Sequence, residues 1–230
     1  MRTCLNKIVI ILFLMISPMI FLGVIKNTVE AVENDSKKYI IVDPGHGGID
    51  GGGISSAGVY EKEINLKVSY LLKDYLENSG YNVILTRYSD YDLASKNSNN
   101  RKSEDINNRL KIINKENVLL YVSIHCNIYS DKRVRGAQTF YNDSKESNKE
   151  LSNIIQNKFN TILKNTNRQS KSIKDKYLVD NAKVIGSLIE IGFLSNDEEF
   201  SLLNTQTYQN DIAYCIYIGI IEFLSKNNNF

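Results

Sequence analysis

The sequence predicts an α/β fold, a single domain whose largely parallel twisted sheet is flanked by helices. Two observations lead there. From Lys38 onward, strand-like apolar runs alternate with segments of helical spacing, the order that βαβ units impose. The 230 residues also show no internal repeat and no second domain, and that length suits one domain with a real core.

The elements follow in order. Tyr39–Val42 is a short buried strand. Residues 61–79 have helical spacing, and Gly80 ends that helix. Tyr81–Thr86 is a second strand, and the polar stretch 90–102, with no apolar period, is a loop. Residues 103–117 form a helix whose first turn is acidic, as the helix dipole prefers. Strands are expected over 118–124, 136–141 and 184–191, and helices over 147–163, 197–203 and 208–225.

Residues 1–31 stand apart from this domain. Arg2 and Lys7 precede an uncharged run, Ile8–Ile25, which Lys26 closes. That is a signal peptide or a membrane anchor, with Val29–Ala31 as a small-residue cleavage site. Either form sends the remainder out of the cytoplasm, because positive charge stays inside. Residues 32–37 form a polar linker, and 38–230 the domain. The leader holds three of the 28 basic residues and one of the 26 acidic ones, which leaves the remainder balanced at 25 of each. Nothing in this balance suggests nucleic acid, which would need a basic face. Cys126 and Cys215 sit in apolar patterns and read as small core residues, with no metal-type cysteine spacing.

The chain has only two histidines, and each follows a strand. His46 lies within the glycine-rich stretch IIVDPGHGGIDGGG, where glycine allows close backbone approach and positive φ. His125 ends the run VLLYVSI. Alternation puts Leu119, Tyr121, Ser123 and His125 on one face, and Leu120, Val122, Ile124 and Cys126 on the other. Sites in open α/β sheets form where strands end, so the two imidazoles are candidate metal ligands. Glu61 and Glu63 compete to be the third. Glu61 precedes Ile64 by three and Val68 by seven, which places it on the inward stripe of its helix. Glu63 falls on the outer face, where it can pair with Lys67 at i+4. An inward carboxylate is costly unless paired or bound to a metal. Glu190 interrupts the apolar run SLIEIGF; near a metal it would serve as a general base, and elsewhere as a solvated edge residue.

Four segments, IVDPGHGG, YEKEINL, SIHCN and IEIGFLSN, occur in that order between residues 38 and 225. In them the sequence resembles the zinc-dependent N-acetylmuramoyl-L-alanine amidases of bacterial cell walls, the amidase-3 type. The resemblance implies zinc held by His46, Glu61 and His125, with Glu190 as the catalytic carboxylate. It implies hydrolysis of the amide between the lactyl group of muramic acid and L-alanine in peptidoglycan. An arginine of the pattern matches Arg109; this residue and Arg87 are read either as support for the site or as surface residues. The layout, a leader before a bare catalytic domain, looks like the CwlD-type spore-cortex amidases, some of which need a lipoprotein partner. Those enzymes remove stem peptides so that muramic-δ-lactam can form. Only residues 127–135 separate His125 from the next strand, too few for the inhibitory helix that some relatives carry. Another zinc wall hydrolase, such as a peptidase, or a vegetative wall-remodelling amidase are the alternatives. The absence of HExxH disfavours the common metalloprotease helix. A thiol enzyme using Cys126 is disfavoured because alternation turns that side chain away from His125.

Overall fold

A computed structural model describes residues 37–227. The leader, residues 1–31, and the linker up to residue 36 lie outside the described residues. Six strands form one sheet: β1 (Tyr39–Pro44), β2 (Asn82–Leu85), β3 (Val118–Asn127), β4 (Gln138–Tyr141), β5 (Lys171–Ser172) and β6 (Ile185–Phe193). Their order is β2-β1-β3-β6-β4-β5. The pairs β1–β2, β1–β3 and β3–β6 are parallel, whereas β4 runs antiparallel to β6 and carries β5 parallel to itself. The helices are α1 (Glu61–Asn78), α2 (Arg101–Ile113), α3 (Glu146–Lys158), α4 (Tyr177–Asn181), α5 (Asp197–Leu203) and α6 (Gln206–Lys226). None of the described helices is long and apolar enough to cross a membrane.

The two faces of the sheet are covered unequally. Ile64, Val68 and Leu72 of α1, Leu151 and Ile155 of α3 and Ile216 and Ile220 of α6 pack with Leu120, Val122, Ile124 and Cys126 of β3. Tyr121 turns to the other face, against Ile41 of β1 and Ile113 of α2, with Leu178 of α4 beside it. The alternation expected for β3 therefore holds. Cys126 and Cys215 are both buried free thiols, and burial pushes each pKa up, so neither is a nucleophile at neutral pH.

Differences from the expected elements have local causes. Helix α2 starts at Arg101 because the Asn100 side chain caps it, accepting from the Ser103 amide. It ends at Ile113, and Asn117 adopts φ 65° before β3. The helix expected over 147–163 is α3 followed by a π-helical turn, Phe159–Leu163, closed by Lys164 at φ 56°. β5 and α4 span two and five residues, too few to show a period. Glu63 is exposed as expected, yet its carboxylate accepts from the Tyr60 amide instead of pairing with Lys67.

A buried polar cluster ties α2 to the sheet. Arg109 is 3% exposed and bonds Asp43 of β1 and Asp105 of its own helix, both at 2.8 Å. Asp43 also accepts from the Ser123 and Thr86 hydroxyls. Burial alone would raise the Asp43 pKa; the Arg109 charge and the two hydroxyl donors reverse this and leave it lowered. A surface role for Arg109 is thereby excluded. Replacing Asp43 by Ala leaves Arg109 short of a buried partner and should cost about 3–5 kcal/mol in chemical denaturation at pH 7. A carboxyl whose folded pKa is depressed stabilises above its unfolded value, 3.8. The contribution is lost as pH falls through the folded pKa, so the gap between wild type and Asp43→Asn should close in acid.

Candidate metal centre

The carboxyl ends of β1, β3 and β6 bring the chemistry-bearing residues together. Pro44 of β1 lies opposite Ile124 of β3, so His46, two residues beyond, arrives beside His125. His125 in turn pairs in register with Glu190 of β6. Ile189 and Ile191 point into the main core, which leaves Glu190 on the face shared with His125. Because β6 lies between β3 and β4, Glu190 is not an edge residue. α1 packs over the opposite face of the sheet and delivers Glu61, the first residue of that helix, over the strand ends.

The three expected ligands meet. The His46 Nε2 atom lies 3.2 Å from Glu61 Oε2, and His125 Nδ1 lies 3.0 Å from Glu61 Oε1. The two rings stand edge to face with centroids 5.0 Å apart. One donor atom from each of the three residues lies within 4.8 Å of the others. Two imidazoles and one carboxylate make a donor set suited to catalytic zinc, with a position left open. The Asp50 carboxylate sits 3.0 Å from His46 Nδ1 and so turns Nε2 toward the centre. Glu61 also accepts from the Cys126 amide, the Gly53 amide and the Asn65 side chain. Burial opposes the Glu61 charge, but the bonds to His125 and His46 dominate and hold its carboxyl well below the usual range. For His46, burial opposes the proton and the Glu61 carboxylate more than offsets it, so the pKa is raised.

The glycines have a definite steric purpose. A Cβ on Gly45 would stand 2.3 Å from the His125 ring. One on Gly52, at φ 67°, would stand 2.6 Å from both Glu61 Oε2 and the His46 ring. His46 itself adopts φ 61°, the left-handed region that only glycine enters freely. Two arginines hold that conformation. Arg109 donates to the Pro44 and His46 carbonyls, and Arg87 donates to those of Pro44 and Gly45. Arg87 is 1% exposed and also reaches the Lys62 and Ser89 carbonyls. Burial, together with the neighbouring Arg109 charge, pushes its pKa down to about 10, so it remains charged at neutral pH. Both arginines support the site from inside the fold.

Glu190 faces the same cavity, of about 380 Å³, which His46, Glu61 and His125 also line. Its Oε2 atom is enclosed and has no hydrogen-bond partner among the described residues. Burial raises its pKa to about 7. An unpartnered carboxyl beside an open ligand position is where a water-activating base is needed. Sequence reasoning missed Asp50 as an orienting group, although its spacing of four from His46 was legible.

A family model described as N-acetylmuramoyl-L-alanine amidase matches residues 40–222. The chain belongs to this amidase family. The amidase fold and the relatives agree. A germination-specific N-acetylmuramoyl-L-alanine amidase of Bacillus subtilis is 41% identical over 197 residues, covering 84% of this chain and 83% of the relative. The structure of the CwlD amidase from Clostridioides difficile, in complex with the GerS lipoprotein, aligns with a TM-score of 0.80 and 41% identity. That alignment covers 83% of this chain and 100% of CwlD. The catalytic domain of CwlV, an amidase from Paenibacillus polymyxa, aligns at 0.72 with 27% identity, covering 82% and 98% of the two chains. This amidase therefore acts on peptidoglycan, as a hydrolase of the bond its family is named for.

Gly45→Ala should keep the fold by circular dichroism and weaken the affinity of the His46, Glu61 and His125 cluster for added zinc at least about tenfold in a chelator competition, because the added methyl displaces the His125 ring. Unchanged affinity would show that the close packing of Gly45 on His125 does not set the ligand position.

Proposed function

We propose that this amidase is zinc-dependent, with His46, Glu61 and His125 as ligands and Glu190 as the catalytic carboxylate. One observation carries the reading: three potential ligands from distant parts of the chain converge beside an enclosed carboxyl that lacks a partner. Zinc bound there supplies Lewis acidity toward the lactyl carbonyl and acidity to a water. The protein's part is proton traffic and positioning. Glu190 takes the proton of the attacking water and returns it to the alanine nitrogen as the C–N bond breaks. The hydroxyl stays on the lactyl carbon, and the products are a free lactyl carboxylate and a free amino terminus. Its raised pKa of about 7 suits both halves of that transfer at neutral pH. Arg87 and Arg109 keep the His46 turn in place, and Asp50 orients the ring.

The germination-specific relative and the CwlD structure support a place in the spore cortex, where stem peptides are removed before muramic-δ-lactam forms. On the same ground we assign the chain to the outer side of the cytoplasmic membrane, on the forespore or cortex side, delivered by its leader. A lipoprotein partner is also assigned, since the CwlD structure is a complex with one.

Glu190→Gln should retain one zinc per chain by elemental analysis and lose turnover by about 10²–10⁴-fold on purified peptidoglycan. Mass spectrometry of wild-type digests should find free lactyl groups on muramic acid, and none with a chelator present. New amino termini inside the stem peptide would instead indicate a peptidase.

A further inference from the structure

The cavity of the metal centre is uneven in charge. Beyond the Glu61 ligand itself, one wall is apolar: the Ile128 side chain fills the space beside Gly53, where a Cβ would stand 2.6 Å from it. Another wall is built by the start of α2 and the start of α4, and there Lys102 and Lys176 line the cavity. Lys102, Ile106 and Tyr177 also line a neighbouring cavity of about 330 Å³. The Tyr177 hydroxyl bonds Asn107 and so joins the two helices at that point.

Glu190, on the opposite side of the same cavity, has no hydrogen-bond partner for its Oε2 atom among the described residues and feels the Lys176 charge without pairing with it. The carboxylates on the lysine side are engaged. Asp105 holds Arg109 and the Leu93 amide. Asp180 accepts from the Asn142 side chain and the Lys176 amide. Asp50 is bonded to His46 and the Gly52 amide, and its contact with Lys102 is a long 3.9 Å. The Lys176 ammonium makes no ion pair among the described residues, and the Lys102 side chain is 71% exposed. Two cations with free bonding capacity thus stand on one side of the cleft, and the Gly53–Ile128 side holds none.

The two arms of the substrate differ in the same way. The scissile amide consumes the lactyl carboxyl, so the sugar arm next to it is uncharged. The peptide arm carries free carboxylates, the first on the residue after alanine. Chain advances of about 3.5 Å per residue keep that carboxylate within one or two residues of the reacting carbon.

Resting on the amidase reading, we propose that Lys176 and Lys102 bind the stem-peptide carboxylates and so fix the direction in which the substrate lies. The peptide runs along the α2–α4 wall and the sugar lies toward Gly53 and Ile128. Both lysines then act as specificity determinants for an acidic stem.

The test is a comparison of two synthetic muramyl peptides, MurNAc-L-Ala-γ-D-Glu with its α-carboxylate free and the same compound amidated there. Each exposed ion pair contributes about two- to fivefold. The wild-type zinc enzyme should favour the free carboxylate by about fivefold to twentyfold in kcat/KM, mainly through KM, and less in high salt. In Lys102→Gln/Lys176→Gln the ratio should fall toward one, with Lys176→Gln between. A second readout is calorimetric binding of the dipeptide L-Ala-γ-D-Glu, free or amidated, to the same proteins. An equal ratio in wild type and double variant, in both readouts, overturns the proposal while the amidase reading stands. Lysine-dependent dipeptide binding without hydrolysis of either compound or of purified peptidoglycan, with the lipoprotein partner present, would sink the zinc and Glu190 reading and keep the peptide site.

Discussion

Arg87 and Arg109 together occupy the carbonyl oxygens of Pro44, Gly45 and His46, and the rest of the site depends on that grip. The turn after β1 places a non-glycine residue at φ 61°, a conformation that costs about 1–2 kcal/mol. It also leaves three consecutive carbonyls inside the protein, where each needs a donor. Two guanidinium groups supply those donors in a fixed planar fork that lysine could not reproduce. Arg109 is itself fixed by Asp43 and Asp105. The strain at His46 is thus met by bonds that simultaneously tie α2 and the segment after β2 to the end of β1.

Around that turn the parallel sheet does the gathering. β1 and β3 are neighbours, and the chain leaves β1 toward β2 on the other side, so a crevice opens between the strands' carboxyl ends. His46 and His125 project into it, and the His125–Glu190 register adds the carboxyl from β6. Glu61 completes the set from α1, above the crevice. Small residues at Gly45 and Gly52 let imidazole and carboxylate approach to contact distance. Four side chains separated by up to 144 positions become neighbours through two parallel pairings and one helix start.

Much of this was legible from residue patterns. The alternation in β3 gave the correct face for His125 and Cys126, because a strand buried on both sides has no freedom of register. The helical stripe separated Glu61 from Glu63, since burial follows angle around the helix. The resemblance to a known family supplied the role of Glu190, which pattern alone left open between a base and an edge residue. What stayed hidden was tertiary. The inward course of Arg87 and Arg109 follows from carbonyls that no sequence pattern displays. The antiparallel pairing of β4 with β6 leaves no mark on periodicity, and β5 and α4 are too brief to show a period.

The central claim is that one divalent cation unites His46, Glu61 and His125. Crystals grown with zinc and measured on both sides of its absorption edge test this directly. The account predicts a single strong anomalous peak bonded to the three side chains, with the Glu190 carboxyl facing the remaining position. A peak bound elsewhere, or none at these residues in zinc-saturated protein, would contradict it.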